Sequence, residues 1–248
     1  MKRKIIFLFL LFQAFFLFAQ QPELARILAL SKDEQQQRWG LDTLYKPADD
    51  YTKVLGHPYL TTAWLKGDLF LSDNTKLEGI VFRYNMYEDL VEVLLLGHRY
   101  NLSAHFVQKF AFRDPESLKK RIFTQQVSGR EIGKELSLDS LAYLELMFKG
   151  DSIMVFRHWT KEVVATTAKT NNGPSLINYR FQEEREKAFV VKRGVFFWVP
   201  FSREGFLLAF SDKWSELEDF LDRWNISCRN MEDLVKVAKY YDGLVRLK

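Results

Sequence analysis

At 248 residues, with a formal net charge of +4 and 15% aromatic residues, the chain is long enough to bury a sizeable core without metal or disulfide support. Its one cysteine, Cys228, excludes an intramolecular disulfide. Three cations, Lys2, Arg3 and Lys4, stand at the extreme N-terminus, and removing them leaves +1, with both signs interspersed; the basic footprint of phosphate binding is missing, so no nucleic acid is expected as a partner.

Those three cations open a signal-like segment. Ile5 to Phe18 is apolar apart from Gln13, Ala19 supplies a small residue, and Gln20, Gln21 and Pro22 end the run. A spanning helix needs about 20 apolar residues and this run has roughly 14. Residues 1–19 are therefore expected to be a removed secretory signal, leaving a mature chain from Gln20 with no transmembrane segment. No cysteine stands at the cleavage point, so lipid anchoring by that route is not expected. The expected compartment is the periplasm, the cell surface or the medium, where Cys228 is best buried.

Residues 20–55 read as a short helix, Pro22 to Leu30 with Leu24, Ile27 and Leu28 on one face, fraying at the polar stretch Ser31 to Arg38 into a linker. The folded body is expected over 56–210. Beyond Trp64 the period becomes two: Gly67 to Leu71, Leu77 to Tyr84, Leu90 to Leu96, Arg99 to Leu102 and Phe106 to Phe112 read as strands joined by short links, which favours antiparallel hairpins. A charged stretch, Asp114 to Asp139, with a short helix predicted at Glu116 to Arg121, separates two candidate halves, 56–113 and 140–210. Leu141 to Phe148, Ser152 to Trp159, Ala188 to Val191, Val195 to Val199 and Gly205 to Phe210 are the strands of the second; Thr166 to Pro174 reads as an exposed loop.

Residues 211–248 change character. Ser215 and Glu218 have capping-box spacing, and Trp214, Leu217, Phe220, Leu221 and Trp224 recur at helical intervals. Asn230 offers an N-cap to a second helix with Met231, Leu234, Val235, Ala238 and Tyr241 on one face. The fold class expected is mainly antiparallel β, a meander folded into a sandwich or open barrel, with two C-terminal α-helices.

No catalytic residue can be named. No Gly-x-Ser-x-Gly occurs, and no Gly-rich phosphate loop or dinucleotide fingerprint, so no cofactor is expected. The four histidines are scattered, and no metal site is expected. Trp39, Trp64, Trp159 and Trp198 read as core. The most distinctive stretch is Arg83 to Asp89, where Arg83, Tyr84 and Tyr87 surround a turn. They make a candidate recognition turn with exposed side chains; the plainer reading has Asn85 shaping the turn while Arg83 pairs across the hairpin with Glu92 or Glu78.

The segments Gly56-His57-Pro58-Tyr59-Leu60, Arg83-Tyr84-Asn85-Met86-Tyr87-Glu88-Asp89, and Met231-Glu232-Asp233-Leu234 with Tyr240-Tyr241 resemble a recurring group of exported, uncharacterised Gram-negative bacterial proteins. The resemblance runs from about Gly56 to Leu244 and implies export and a strand-rich body with a helical tail, without functional residues. The function expected is a non-enzymatic binding or structural module of the envelope, engaging an envelope protein, a glycan or an apolar ligand. The alternatives are a carrier of an apolar ligand in an open barrel and an envelope hydrolase using paired carboxylates.

Overall fold

The computed structural model describes residues 22–41, 43–127, 130–131, 142–168, 176–182 and 185–246. The expected signal segment lies outside the described residues. In chain order the helices and strands are α1 (Pro22–Leu28), α2 (Lys32–Trp39), β1 (Tyr45–Pro47), β2 (Val54–Leu55), β3 (Leu65–Leu71), β4 (Lys76–Asn85), β5 (Leu90–Leu95), β6 (His98–Leu102) and β7 (Val107–Arg113). Then come β8 (Lys120–Thr124), β9 (Gln126–Val127), β10 (Arg130–Glu131), β11 (Leu144–Lys149), β12 (Ile153–Thr160), β13 (Val163–Ala168), β14 (Leu176–Phe181), β15 (Arg185–Lys192) and β16 (Val195–Val199). The helices α3 (Arg203–Ala209), α4 (Trp214–Arg223) and α5 (Met231–Arg246) follow. The fold is mainly antiparallel β. No helix of the described residues is long and apolar enough to cross a membrane.

Two compact units share the chain: Met1–Lys120 with Lys161–Gln182, and Arg121–Thr160 with Glu183–Lys248. The segment 161–182, expected with the second half, thus belongs to the first unit. Residues 20–55 are also more ordered than a linker. Ser31 and Glu34 form a reciprocal capping box that starts α2, and Gly40 ends it at φ +68°, a backbone state glycine adopts without strain. The polar run reads as frayed only because Gln35 is its sole buried residue. β1 then joins the sheet, Tyr45 opposite Leu102.

The first unit's main sheet has the order β1-β6-β5-β4-β3-β7, a meander with β7 added beside β3. Gly67 permits that addition, because a Cβ there would lie 2.2 Å from the Ala111 carbonyl oxygen. One face buries Leu69, Leu77, Phe82, Tyr84, Val91, Val93 and Phe110; these alternate along their strands as a half-buried pleat demands. A smaller sheet, β13-β14-β2, adds a parallel pair of β14 and β2. β14 was not expected, and of the predicted 166–174 loop, Thr166 to Ala168 instead belong to β13, while residues 169–174 lie outside the described residues.

In the second unit the order is β8-β11-β12-β15-β16. Ile153, Val155, Ala188, Val190 and Val199 face helical residues Phe206, Phe210, Leu217, Leu221, Leu234, Val237 and Tyr241, while Phe156, Phe189 and Val191 form a second cluster. With both faces apolar, β15 reads as the continuous run Ala188 to Val191 instead of an alternation. Burying side chains such as Leu217 and Leu221 contributes about 1.5–3 kcal/mol each.

Three sequence expectations fail here for local reasons. Glu116 to Arg121 is a turn running into β8, because the Asp114 side chain accepts the Glu116 and Ser117 N–H groups and closes the chain tightly. Gly205 to Phe210 is not a strand but part of α3, started by the Ser202 side chain accepting the Gly205 N–H at 3.0 Å. α3 therefore stands ahead of α4 and α5, before residues 211–248 begin. Ser215 lies inside α4, so the capping box is absent, and Trp214 and Trp224 at its two ends are exposed where a buried stripe was expected. Asn230 does cap α5, accepting the Asp233 N–H at 2.9 Å, and Cys228 is buried.

Candidate functional site

The turn between β4 and β5 is built by Asn85, whose side-chain oxygen accepts the N–H groups of Tyr87 and Glu88. Arg83 sits opposite Glu92 on β5 and donates to its carboxylate at 2.5 Å. The guanidinium is sandwiched between the Tyr59 ring at 3.8 Å and the Trp64 ring at 4.2 Å, which leaves the side chain 12% exposed. Tyr59 donates in turn to Glu92 at 2.9 Å, and burial together with that carboxylate pushes the Tyr59 hydroxyl up to about 12. Arg83 is thus a clamp that ties the Gly56 to Leu60 segment onto the sheet.

Tyr84 points the other way. It is 0% exposed, packs on Phe110 at 5.2 Å and donates to Asp89 at 2.5 Å. Of the three side chains proposed for a recognition turn, only Tyr87 presents its ring to solvent, at 46% exposure. The expectation that all three are exposed is corrected by the pleat: Arg83 and Tyr84 fall on opposite faces of β4, and both faces are covered at that point.

Tyr87 is one end of an aromatic strip. Its ring meets Phe181 at 5.5 Å and Tyr51 at 6.2 Å, and Tyr51 meets Phe181 at 5.5 Å, all edge to face. Such pairs contribute about 0.5–1.5 kcal/mol beyond burial. Phe181 lies on β14, and Tyr179 and Ile177 occupy the same face two and four residues earlier, Tyr179 being 51% exposed. Tyr179 stands opposite Ala165 on β13 and beside Val54 on β2, small neighbours that leave its ring open.

Beneath the strip, polar groups fix Tyr51. Its hydroxyl donates to Glu88 and accepts from the Asn85 side-chain amide at 3.1 Å. Glu88 also accepts from Asn101 at 2.9 Å, pairs with Lys46 at 3.3 Å and lies in hydrogen-bonding reach of Asp49. Burial first, then the neighbouring Asp49 carboxyl, pushes the Glu88 carboxyl above the usual glutamate range. Burial and Glu88 push the Tyr51 hydroxyl far up, so it stays protonated and donating.

The sequence offered no sign of Tyr51, which sits in a stretch without periodicity. Tyr179 and Phe181 did leave one, the alternation Ile177, Tyr179, Phe181, hidden beside a Thr- and Asn-rich segment. The tryptophans read as core are not fully buried either: Trp64 stacks on Arg83, Trp159 donates to Glu145, and Trp198 is 63% exposed.

The second unit carries a separate ion cluster. Glu145, 4% exposed at its side chain, accepts from Arg121 at 2.6 and 2.9 Å, from Arg157 at 2.9 Å and from the Trp159 indole at 2.8 Å. Burial pushes its carboxyl up, but the two guanidiniums outweigh burial and hold it below the usual range. Among the described residues no group of three or more His, Cys, Asp or Glu side chains is placed to hold a metal ion.

No protein-family model, curated protein or solved structure matches the chain.

Proposed function

We propose that the chain is an exported, non-enzymatic binding module of the bacterial envelope, and that the aromatic strip of its first unit grips a glycan. The signal-like N-terminus and the resemblance to exported Gram-negative proteins support the compartment. The observation that carries the binding reading is the locked Tyr51 ring, held by Glu88 and Asn85 and wedged against Tyr87 and Phe181, with Tyr179 open beside it. Rings fixed before binding lose little side-chain freedom on contact, and that ordering is one of the costs of recognition. A polyhydroxylated ligand suits this strip because pyranose C–H faces stack on open rings, while Asp49 and Lys46, both more than half exposed at its edge, accept from and donate to hydroxyls.

The contact between Asp49 and Glu88 also raises the hydrolase reading. Glycosidases place two carboxyls about 5–9.5 Å apart around the scissile bond. Here Glu88 is instead spent orienting Tyr51, whose hydroxyl donates to it. Binding is the better account.

Protein recovered from the envelope fraction, expected to begin at Gln20, should be retarded in gels containing purified envelope polysaccharide. Tyr87→Ala and Tyr179→Ala should each weaken retardation about tenfold, the equivalent of roughly 1.4 kcal/mol at a contact hot spot. Unchanged retardation in the double variant would remove the strip from the account; an N-terminus at Met1 would remove export. Release of reducing sugar, abolished by Glu88→Gln, would instead establish hydrolysis.

A further inference from the structure

The second unit contains a cavity unrelated to the aromatic strip. Ile153 pairs with Lys192, so the β11 to β12 turn and the β15 to β16 turn lie side by side at one end of that unit's sheet. Between them is a cavity of about 340 Å³, walled by Ile153, Met154, Val191 and Phe196, with Lys149 and Arg193 at its rim.

The rim is built in place. Asp242 of α5 accepts the N–H groups of Ser152 at 2.8 Å and Asp151 at 3.3 Å. A Cβ at Gly150 would lie 2.5 Å from the Asp242 carboxylate, so any larger residue would have to push that carboxylate aside. Arg193 and Gly194, at φ +51° and +77°, form the opposite two-residue turn in the twist that hairpins favour.

Charge at the rim is uneven. Asp151 is neutralised by Arg246 at 2.9 Å, and Arg246 also holds Asp242 at 2.8 Å. Lys149 and Arg193 have no ion-pair partner among the described residues and are exposed. Two exposed cations, unpaired among the described residues, over a partly apolar pocket fit a ligand with one negative end and one greasy end. Ligand cavities span about 300–1,000 Å³, and this one is at the small end, which suits a short chain and not a diacyl lipid.

We propose that this cavity binds a small amphipathic anion, a monocarboxylate with a short apolar chain, its carboxylate between Lys149 and Arg193 and its chain against Met154, Val191 and Phe196. The site stands whether or not the aromatic strip binds glycan. Calorimetric titration of the mature protein with decanoate, kept below micelle-forming concentration, should show saturable one-to-one binding. Decanol should bind on the order of tenfold more weakly, since it lacks the charge that two cations recognise. The double variant Lys149→Gln, Arg193→Asn should lose a similar factor for decanoate and none for decanol; asparagine is chosen because it tolerates the positive φ at 193. Met154→Trp, which fills the pocket, should abolish both. Equal affinity for decanoate and decanol, binding that survives Met154→Trp, or no saturable heat would each overturn the proposal.

Discussion

Changing Tyr84 to alanine should destabilise the protein by about 3–5 kcal/mol, the usual cost of deleting a large buried ring. The ring is fully enclosed against Phe110, itself packed on Phe82 at 5.5 Å. Tyr84→Phe keeps the ring and removes only the bond to Asp89, so it should cost about 1 kcal/mol. Tyr87→Ala, three residues away, removes two edge-to-face contacts from a half-exposed ring and should cost no more than about 1.5 kcal/mol. Urea midpoints of the three variants check the ordering. A Tyr84→Ala variant within about 0.5 kcal/mol of wild type, the usual surface range, would show that the turn is not anchored in the core as described.

The second large effect lies at Glu145. Removing one partner of a buried ion pair leaves uncompensated charge and typically costs about 3–5 kcal/mol; here Glu145→Ala removes the carboxylate shared by Arg121 and Arg157, whose side chains are less than one-fifth exposed, while Arg157 keeps its pair with Glu186 at 3.2 Å. The same carboxylate makes a pH prediction. Its pKa is held down in the folded state, so the unfolded chain binds the extra proton as acid is added, and the stabilisation, present above about pH 4.3, is lost as pH falls through the depressed value. Glu145→Gln should therefore be less stable at neutral pH and show a flatter acid limb than wild type. Equal acid limbs in urea titrations from pH 6 to about pH 2 would contradict the assignment.

The antiparallel body was legible in sequence because period-two alternation is a local signal: Leu77 to Tyr84 and Leu90 to Leu96 fall on β4 and β5 almost residue for residue. Asn85 as turn-former and Arg83 opposite Glu92 were legible for the same reason, since a hairpin register follows from its turn. What failed depends on partners distant in sequence. The pairing of β2 with β14 joins residues 54 and 179 across more than a hundred positions, and nothing within Val54-Leu55 announces it. Tyr51 acquires its place only through Glu88 and Phe181. α3 reads as a strand because Gly205 to Phe210 is nearly all apolar, and a short apolar run carries no period of its own; the deciding feature is the cap at Ser202. Tyr84 and Tyr87 look alike in a string of letters, and only the pleat that turns one inward separates them.

The central claim is recognition of a glycan by the strip of Tyr51, Tyr87, Tyr179 and Phe181. Its most direct test is a titration of protein carrying ring-labelled tyrosine with soluble oligosaccharides released from the envelope, followed by nuclear magnetic resonance. The strip account predicts saturable shifts of the Tyr87 and Tyr179 ring signals, a smaller response at Tyr51, and none at the enclosed Tyr84 or at Tyr241 in the second unit. Saturable binding that leaves Tyr87 and Tyr179 unmoved while other tyrosines respond would contradict it.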